Sequence, residues 1–227
     1  AADWSKYYGH TITHAGSWQY GLPELVDHTA LASANRIANP GCYATVIALA
    51  AAPAVWQGLI DVTDIVAVAA SGTSGAGRSP SESLQASEVM GSMSSYKTGG
   101  VHQHTPEIEQ TLSSLGATDV RLSFTPLLAP MTRGIHATVT ARLSASVDLS
   151  EIRDAYESLY ADAPFIQVLP MGEQPRTSNV LGTNFAQIQV LIDEHSQRLV
   201  VTAVIDNLVK GAAGQAIRSE EHTSELQ

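Results

Sequence analysis

The chain has 227 residues, with 12 basic and 22 acidic side chains, a formal charge of -10, and 44% hydrophobic against 15% charged residues. Such a composition belongs to ordinary globular proteins with a sizeable core and excludes disordered, collagen-like and low-complexity chains. The acidic balance repels phosphate backbones and anionic lipid, and the basic residues are scattered singly, so neither nucleic acid nor a membrane is an expected partner.

Residues 1–40 are turn-rich and aromatic, with Trp4, Tyr7, Tyr8, Trp18 and Tyr20 and little periodicity. From Cys42 to about Trp56, alanine and leucine dominate, which predicts a buried helix with Gly58 just past its end. The apolar run from Thr45 is interrupted by Pro53 and falls short of the roughly 18–20 residues that span a bilayer. Asp64 to Ala70 has strand length and leads into a Gly/Ser loop, SGTSGAGRSP. Residues 87–101 are polar and loop-like and carry Tyr96 and Lys97. Thr105-Pro106 predicts a helix start, with Thr105 as N-cap and Gly116 at the far end. Val120 to Thr125 and Gly134 to Leu143 alternate as strands. Asp148 to Ala161 is an amphipathic helix with Asp148 and Glu151 at capping-box spacing. Ala186 to Asp193 and Arg198 to Asp206 predict an antiparallel hairpin, and Asn207 to Ile217 a closing helix of small residues. Strands in succession with helices between some of them imply an α+β layer on a mixed or antiparallel sheet.

Cys42 is the only cysteine, so no intrachain disulfide forms and a reducing, cytoplasmic setting is expected. In Asn39-Pro40-Gly41-Cys42, proline and glycine force a turn and place the thiol at a helix N-terminus. Unpaired amides and the helix dipole stabilise an anion there, which lowers a thiol from its usual ~8.5 and favours a thiolate nucleophile. The same amides suit the oxyanion of a tetrahedral adduct. A small buried hydrophobe is the other role open to a lone cysteine.

His102-Gln103-His104 places two imidazoles beside the second helix start. In a strand they would share a face, one as acid/base and the other as orienter; solvated loop histidines are the alternative. His-x-His also supplies two metal ligands, with His10, His14, His28 and His136 as further candidates, but no cysteine cluster or HExxH helix supports a metal centre and none is expected. The glycines of the SGTSGAGR loop let backbone amides converge on an anion. Arg133 and Lys97 are candidate anion clamps.

Taken together, NPGCYAT, SGTSGAGR, SYKTGGVHQHTPEIEQ, FTPLLAPMTRGI and NLVKGAAGQA, with YGLPEL upstream, resemble the N-acetyl-gamma-glutamyl-phosphate reductases of the semialdehyde-dehydrogenase-like families, from about Trp4 to Ile217. The resemblance implies that Cys42 attacks the acyl phosphate, that NADP(H) supplies hydride, and that His104 is the acid/base residue. It places His102, Tyr96, Arg133 and Asn39 at the substrate and Ser71, Gly72, Ser74, Gly75 and Lys210 at the cofactor. It also implies a homo-oligomeric parent enzyme. A carrier-bound aminoadipyl phosphate is the alternative substrate within the family. A Cys-His hydrolase or acyltransferase without nicotinamide, and a non-catalytic fragment, are the alternatives outside it.

The fold class expected on these grounds is an α+β catalytic domain over residues 42–205 plus the remnant of a Rossmann-type α/β nucleotide domain in residues 1–41. Residues 206–217 would form the helix returning to that domain. The chain opens on Ala1-Ala2-Asp3-Trp4, in the manner of mid-protein sequence, and the glycine-rich dinucleotide turn of the family is not found in it. The last residues, RSEEHTSELQ (218–227), read as a foreign, adapter-like tail.

Overall fold

A computed structural model describes residues 7, 16–77, 79, 81–144 and 146–223, so Arg78, His10, His14 and the end of the 218–227 tail lie outside the described residues. Its elements in chain order are β1 (Gln19–Tyr20), α1 (His28–Ala32), β2 (Ile37–Ala38), α2 (Cys42–Trp56), β3 (Ile65–Ser71), α3 (Ala86–Val89), β4 (Ser94–Ser95) and α4 (His104–Ser113). There follow β5 (Leu122–Leu128), β6 (Ile135–Arg142), α5 (Leu149–Leu159), β7 (Ile166–Val168), α6 (Thr177–Val180), β8 (Ala186–Asp193), β9 (Arg198–Ile205) and α7 (Gly214–Glu220). A seven-stranded sheet in the order β4-β5-β3-β6-β9-β8-β7 carries the fold, and β1 and β2 form a separate parallel pair. β3 runs parallel to β5 and antiparallel to β6, so the sheet is mixed and the α+β expectation holds. No helix among the described residues is long and apolar enough to cross a membrane.

Period-two burial sets the two faces. Along β3, Ile65, Ala67, Ala69 and Ser71 are buried while Val66, Val68 and Ala70 are not. β6 repeats the pattern with Ile135, Ala137, Val139 and Ala141 inward. Helix α2 packs on the inward face beside α4 and α5. The outward face, carrying residues such as Val68, Thr138 and Thr202, is left only partly covered.

The expected hairpin forms in register, Ala186 opposite Ile205 and Asp193 opposite Arg198. Asp148 caps α5, its carboxylate accepting from the Glu151 amide at 2.9 Å. Two helix boundaries differ from expectation. Helix α4 starts at His104, with Gln103 as N-cap, rather than after Thr105, and the His102 ring just ahead of the cap accepts the His104 amide. The closing segment is a π-turn over Val209–Ala213 followed by an α-helix that continues past Ile217 to Glu220.

Helix α2 is buried without a break from Tyr43 to Val55. It ends in a Schellman arrangement: the Leu59 amide reaches Ala54 O at 2.9 Å and the Gly58 amide reaches Val55 O at 3.1 Å. Gly58 takes the left-handed φ of +66° that this ending requires. Pro53 lies inside the helix and has no amide for the Leu49 carbonyl four residues back. The Tyr160 hydroxyl donates to that carbonyl at 2.6 Å, and Tyr156 donates to the next one, Ala50 O, at 2.6 Å. Tyr160 therefore replaces the bond that the proline removed. Changing Tyr160 to Phe should lower unfolding stability by about 1–3 kcal/mol, the cost of a buried unsatisfied carbonyl. In a Pro53→Ala background the loss should shrink, because the restored amide takes the carbonyl. Denaturant melts of the four variants measure the coupling, and equal losses in both backgrounds would refute it.

Candidate active site

Topology brings the chemistry-bearing residues to one edge of the sheet. β3 and β5 are parallel, so the crossover helix between them, α4, must begin where β3 ends. Helix α2 runs alongside α4 and begins at the same edge. A cavity of about 780 Å³ opens there, and its walls include Cys42, His102, His104, Tyr96, Ser71 and Asn207.

Cys42 is the first residue of α2, behind Gly41 in extended conformation with φ -69°. Two close approaches fix its surroundings. A Cβ on Gly41 would collide with the His104 ring, and one on Gly211 would fall 2.7 Å from Cys42 Cβ. Only glycine lets the imidazole and the π-turn close on the cysteine from both sides. Glu107 Oε1 accepts from the Gly41 amide and from the Tyr20 hydroxyl, each at 2.9 Å, and pins the turn to α4.

Electrostatically the site departs from expectation. Burial pushes the Cys42 thiol up to about 11, outweighing the amides of Tyr43 and Cys42, and the Glu107 carboxylate adds to the rise. Desolvation disfavours the thiolate more than the helix N-terminus favours it, so the expected lowering does not occur. Burial likewise draws His104 down to about 4, with the Lys97 ammonium contributing. His102 falls to about 3 through burial, then the charges of His104 and Lys97. At neutral pH the chain therefore holds a protonated thiol and neutral imidazoles.

The two histidines separate by geometry rather than by strand face. His102 is 2% exposed, and its Nδ1 accepts the His104 amide at 3.1 Å. It is enclosed edge-on by Tyr43, Tyr96 and Phe124. Its acceptor nitrogen is thus committed to the backbone. His104 instead turns Nε2 toward Gly41, and its buried Nδ1 has no hydrogen-bond partner. Tyr96 donates to the Tyr43 hydroxyl at 3.0 Å, which donates to Leu127 O at 3.1 Å.

Other expected positions fall differently. Ser71, Gly72, Ser74 and Gly75 line the cavity, but their loop does not present amides to an anion. The amides of Gly72, Thr73 and Ser74 are bonded to the carbonyls of Gly134, Met131 and Thr132, and the Gly75 amide closes onto Gly72 O. Asn39, Arg133 and Lys210 are not part of the cavity wall. The Asn39 amide donates to Ala212 O at 3.1 Å. Arg133 is drawn to the buried Asp206 carboxylate at 3.1 Å. The Lys210 ammonium, fully buried, pairs with Glu24. Each thus has a structural partner, although the buried Nε of Arg133 has no hydrogen-bond partner.

Three contributors escaped sequence reasoning. Tyr43 anchors the aromatic enclosure, Gly211 admits the π-turn against Cys42, and Asn207 joins the loops around the cavity. Asn207 accepts the Gly134 amide at 2.7 Å and donates to Ser74 Oγ at 3.0 Å. The small-residue run KGAAG was the one signal for Gly211.

The model of the semialdehyde dehydrogenase dimerisation domain matches residues 42–207. The N-acetyl-gamma-glutamyl-phosphate reductase of Acidothermus cellulolyticus is 56% identical over 219 residues, spanning 96% of this chain and 63% of its own length. That of Micrococcus luteus is 52% identical over 220 residues, again 96% of this chain and 63% of its own. The chain thus spans under two thirds of the length of these relatives. The crystal structure of aspartate semialdehyde dehydrogenase II from Vibrio cholerae shares the fold, with a TM-score of 0.69 at 18% identity over 88% of this chain and 66% of that one. A cavity walled by a helix-terminal cysteine and a histidine, within a region that matches this model, has a plain conclusion: the chain belongs to the semialdehyde dehydrogenase family.

Proposed function

We propose that this chain carries the catalytic part of an enzyme that reduces N-acetyl-glutamyl 5-phosphate to the 5-semialdehyde through a thioester on Cys42. The observation that carries this is the Cys42 thiol and the His104 ring on one cavity, each against a glycine that admits the other elements. The name shared by relatives at 52–56% identity supports the substrate. Residues 42–205 are assigned to the catalytic domain, with 1–41 and 206–217 at the edge of a nucleotide domain and 218–227 as a foreign tail. The half-covered sheet face is the natural seat for a second copy, in keeping with the dimerisation-domain match. A cytoplasmic setting suits a biosynthetic enzyme with a free thiol.

In the acylation step Cys42 Sγ bonds to the acyl carbon, the C–O bond to phosphate breaks, and inorganic phosphate leaves. The neutral His104 ring takes the thiol proton through Nε2 and passes it to the leaving group. The Ala44 amide, in the first turn of α2 and without an acceptor inside the helix, would be available to the developing oxyanion. Ser71 and Asn207, which line the cavity, would hold the carboxamide of a nicotinamide cofactor. Gly75 has no side chain to crowd Ser71 Oγ (3.0 Å from a Cβ) or Asn207 Nδ2 (3.6 Å), leaving polar groups within reach of an amide. When bound, NADPH would supply the hydride that reduces the thioester. The oxyanion so formed would collapse to the aldehyde as the C–S bond breaks, and a proton drawn from solvent through the His104 ring would restore the Cys42 thiol.

Incubating the chain with N-acetyl-glutamyl 5-phosphate, without nicotinamide, should release phosphate and add the acyl mass to Cys42. Cys42→Ser should lose both, and an acyl group carried elsewhere would contradict the assignment. His104→Asn should slow acylation by about 10²-fold or more. His102→Asn should slow it less, because an Asn carbonyl can still accept the His104 amide. The reverse order would move the base to His102. The pH dependence follows from the lowered His104: the ring must be neutral to accept a proton, and it stays neutral down to about 4. Acylation should hold nearly level from pH 8 to 5 and decline as the pH approaches 4. A decline centred near 6.5 would show an ordinary, solvated base.

A further inference from the structure

Lys97 is a cation that the steps above do not use. Among the described residues that line the cavity it is the only cationic side chain, and no carboxylate lines it. This is unusual surroundings for a chain of charge -10. Arg133 does not compensate, being turned to Asp206 and outside the wall. Glu107, the carboxylate felt by Cys42, is bonded to Tyr20 and Gly41.

Two further features single out Lys97. Lys97 adopts a φ of +44°, a left-handed conformation that costs a non-glycine residue roughly 1 kcal/mol or more and that clusters at ligand sites. Its Nζ donates to Gln103 Oε1 at 2.8 Å, and Gln103 is the residue immediately before His104. One amide oxygen leaves the ammonium two more hydrogens to donate. The same cation contributes to the lowering of both His102 and His104, which places its field across the reacting centre.

We propose that Lys97 is a specificity-determining contact, its ammonium taking an anionic terminus of the substrate at the mouth of the cavity. This rests on the acyl-phosphate function proposed above, whose substrate has two candidate anions, the phosphate and the α-carboxylate. Both are oxyanions that an ammonium binds by charge-assisted hydrogen bonds.

The test uses unreactive anions, so that it stands apart from acylation. Inorganic phosphate and N-acetylglutamate are titrated separately into the chain, with protection of Cys42 from iodoacetamide as the readout. At least one should protect the unaltered chain. Lys97→Met should weaken that protection about 10- to 100-fold, the range of a charge-assisted bond, and Lys97→Arg should retain most of it. Loss confined to phosphate assigns the leaving group as the anion bound, and loss confined to N-acetylglutamate assigns the carboxylate. Absence of protection by either anion, or equal protection of Lys97→Met, would overturn the proposal. Protection without any acylation of Cys42 would instead count against the acyl-phosphate function and leave the anion site standing.

Discussion

The burial of helix α2 governs the rest of the structure. From Tyr43 to Val55 it offers no polar face, so it must be enclosed by the sheet on one side and by α4, α5 and the π-turn on the others. A helix enclosed along its whole length can meet a ligand only at an end. Its C-terminus is closed by the Gly58 ending, which leaves the Cys42 end. The parallel pair β3/β5 then forces α4 to start at the same edge, and His104 arrives beside Gly41. The site follows from how the core is packed.

That enclosure also decides the charge state. Water withdrawn from the thiol raises it, and water withdrawn from the imidazoles lowers them, so both partners rest uncharged. On the function proposed above, attack from this resting state would have to move the thiol proton rather than start from a preformed thiolate. A thiol held protonated at neutral pH reacts slowly with electrophiles in general. Lys97 reinforces the neutral imidazoles from the rim, and Glu107 works in the same sense on the thiol.

What was legible in the sequence was what neighbours along the chain decide. The run after Cys42, the Asp148 cap and the alternating hairpin of β8 and β9 are local patterns, and each forms as expected. What was not legible depends on distant partners. Arg133 meets Asp206 across 73 residues, and Lys210 meets Glu24 across 186, partners that no local pattern announces. The same holds for the Gly/Ser loop, where the amides of Gly72, Thr73 and Ser74 pair with carbonyls at 134, 131 and 132. The thiol was misjudged because a helix N-terminus is visible in sequence while the depth of burial around it is not. The order of the motifs, by contrast, carried the family across the chain even where single residues were ambiguous.

Cys42 and His104 line one cavity at the open end of a buried helix, and burial leaves both uncharged at neutral pH. The chain has one cysteine, so alkylation by iodoacetamide followed by mass spectrometry across pH reports that thiol alone. The account predicts slow alkylation at neutral pH, rising to half its limiting rate near pH 11 while the fold persists by circular dichroism. A midpoint at or below the ordinary ~8.5 of a free thiol would mean that the helix N-terminus outweighs burial, and would contradict it.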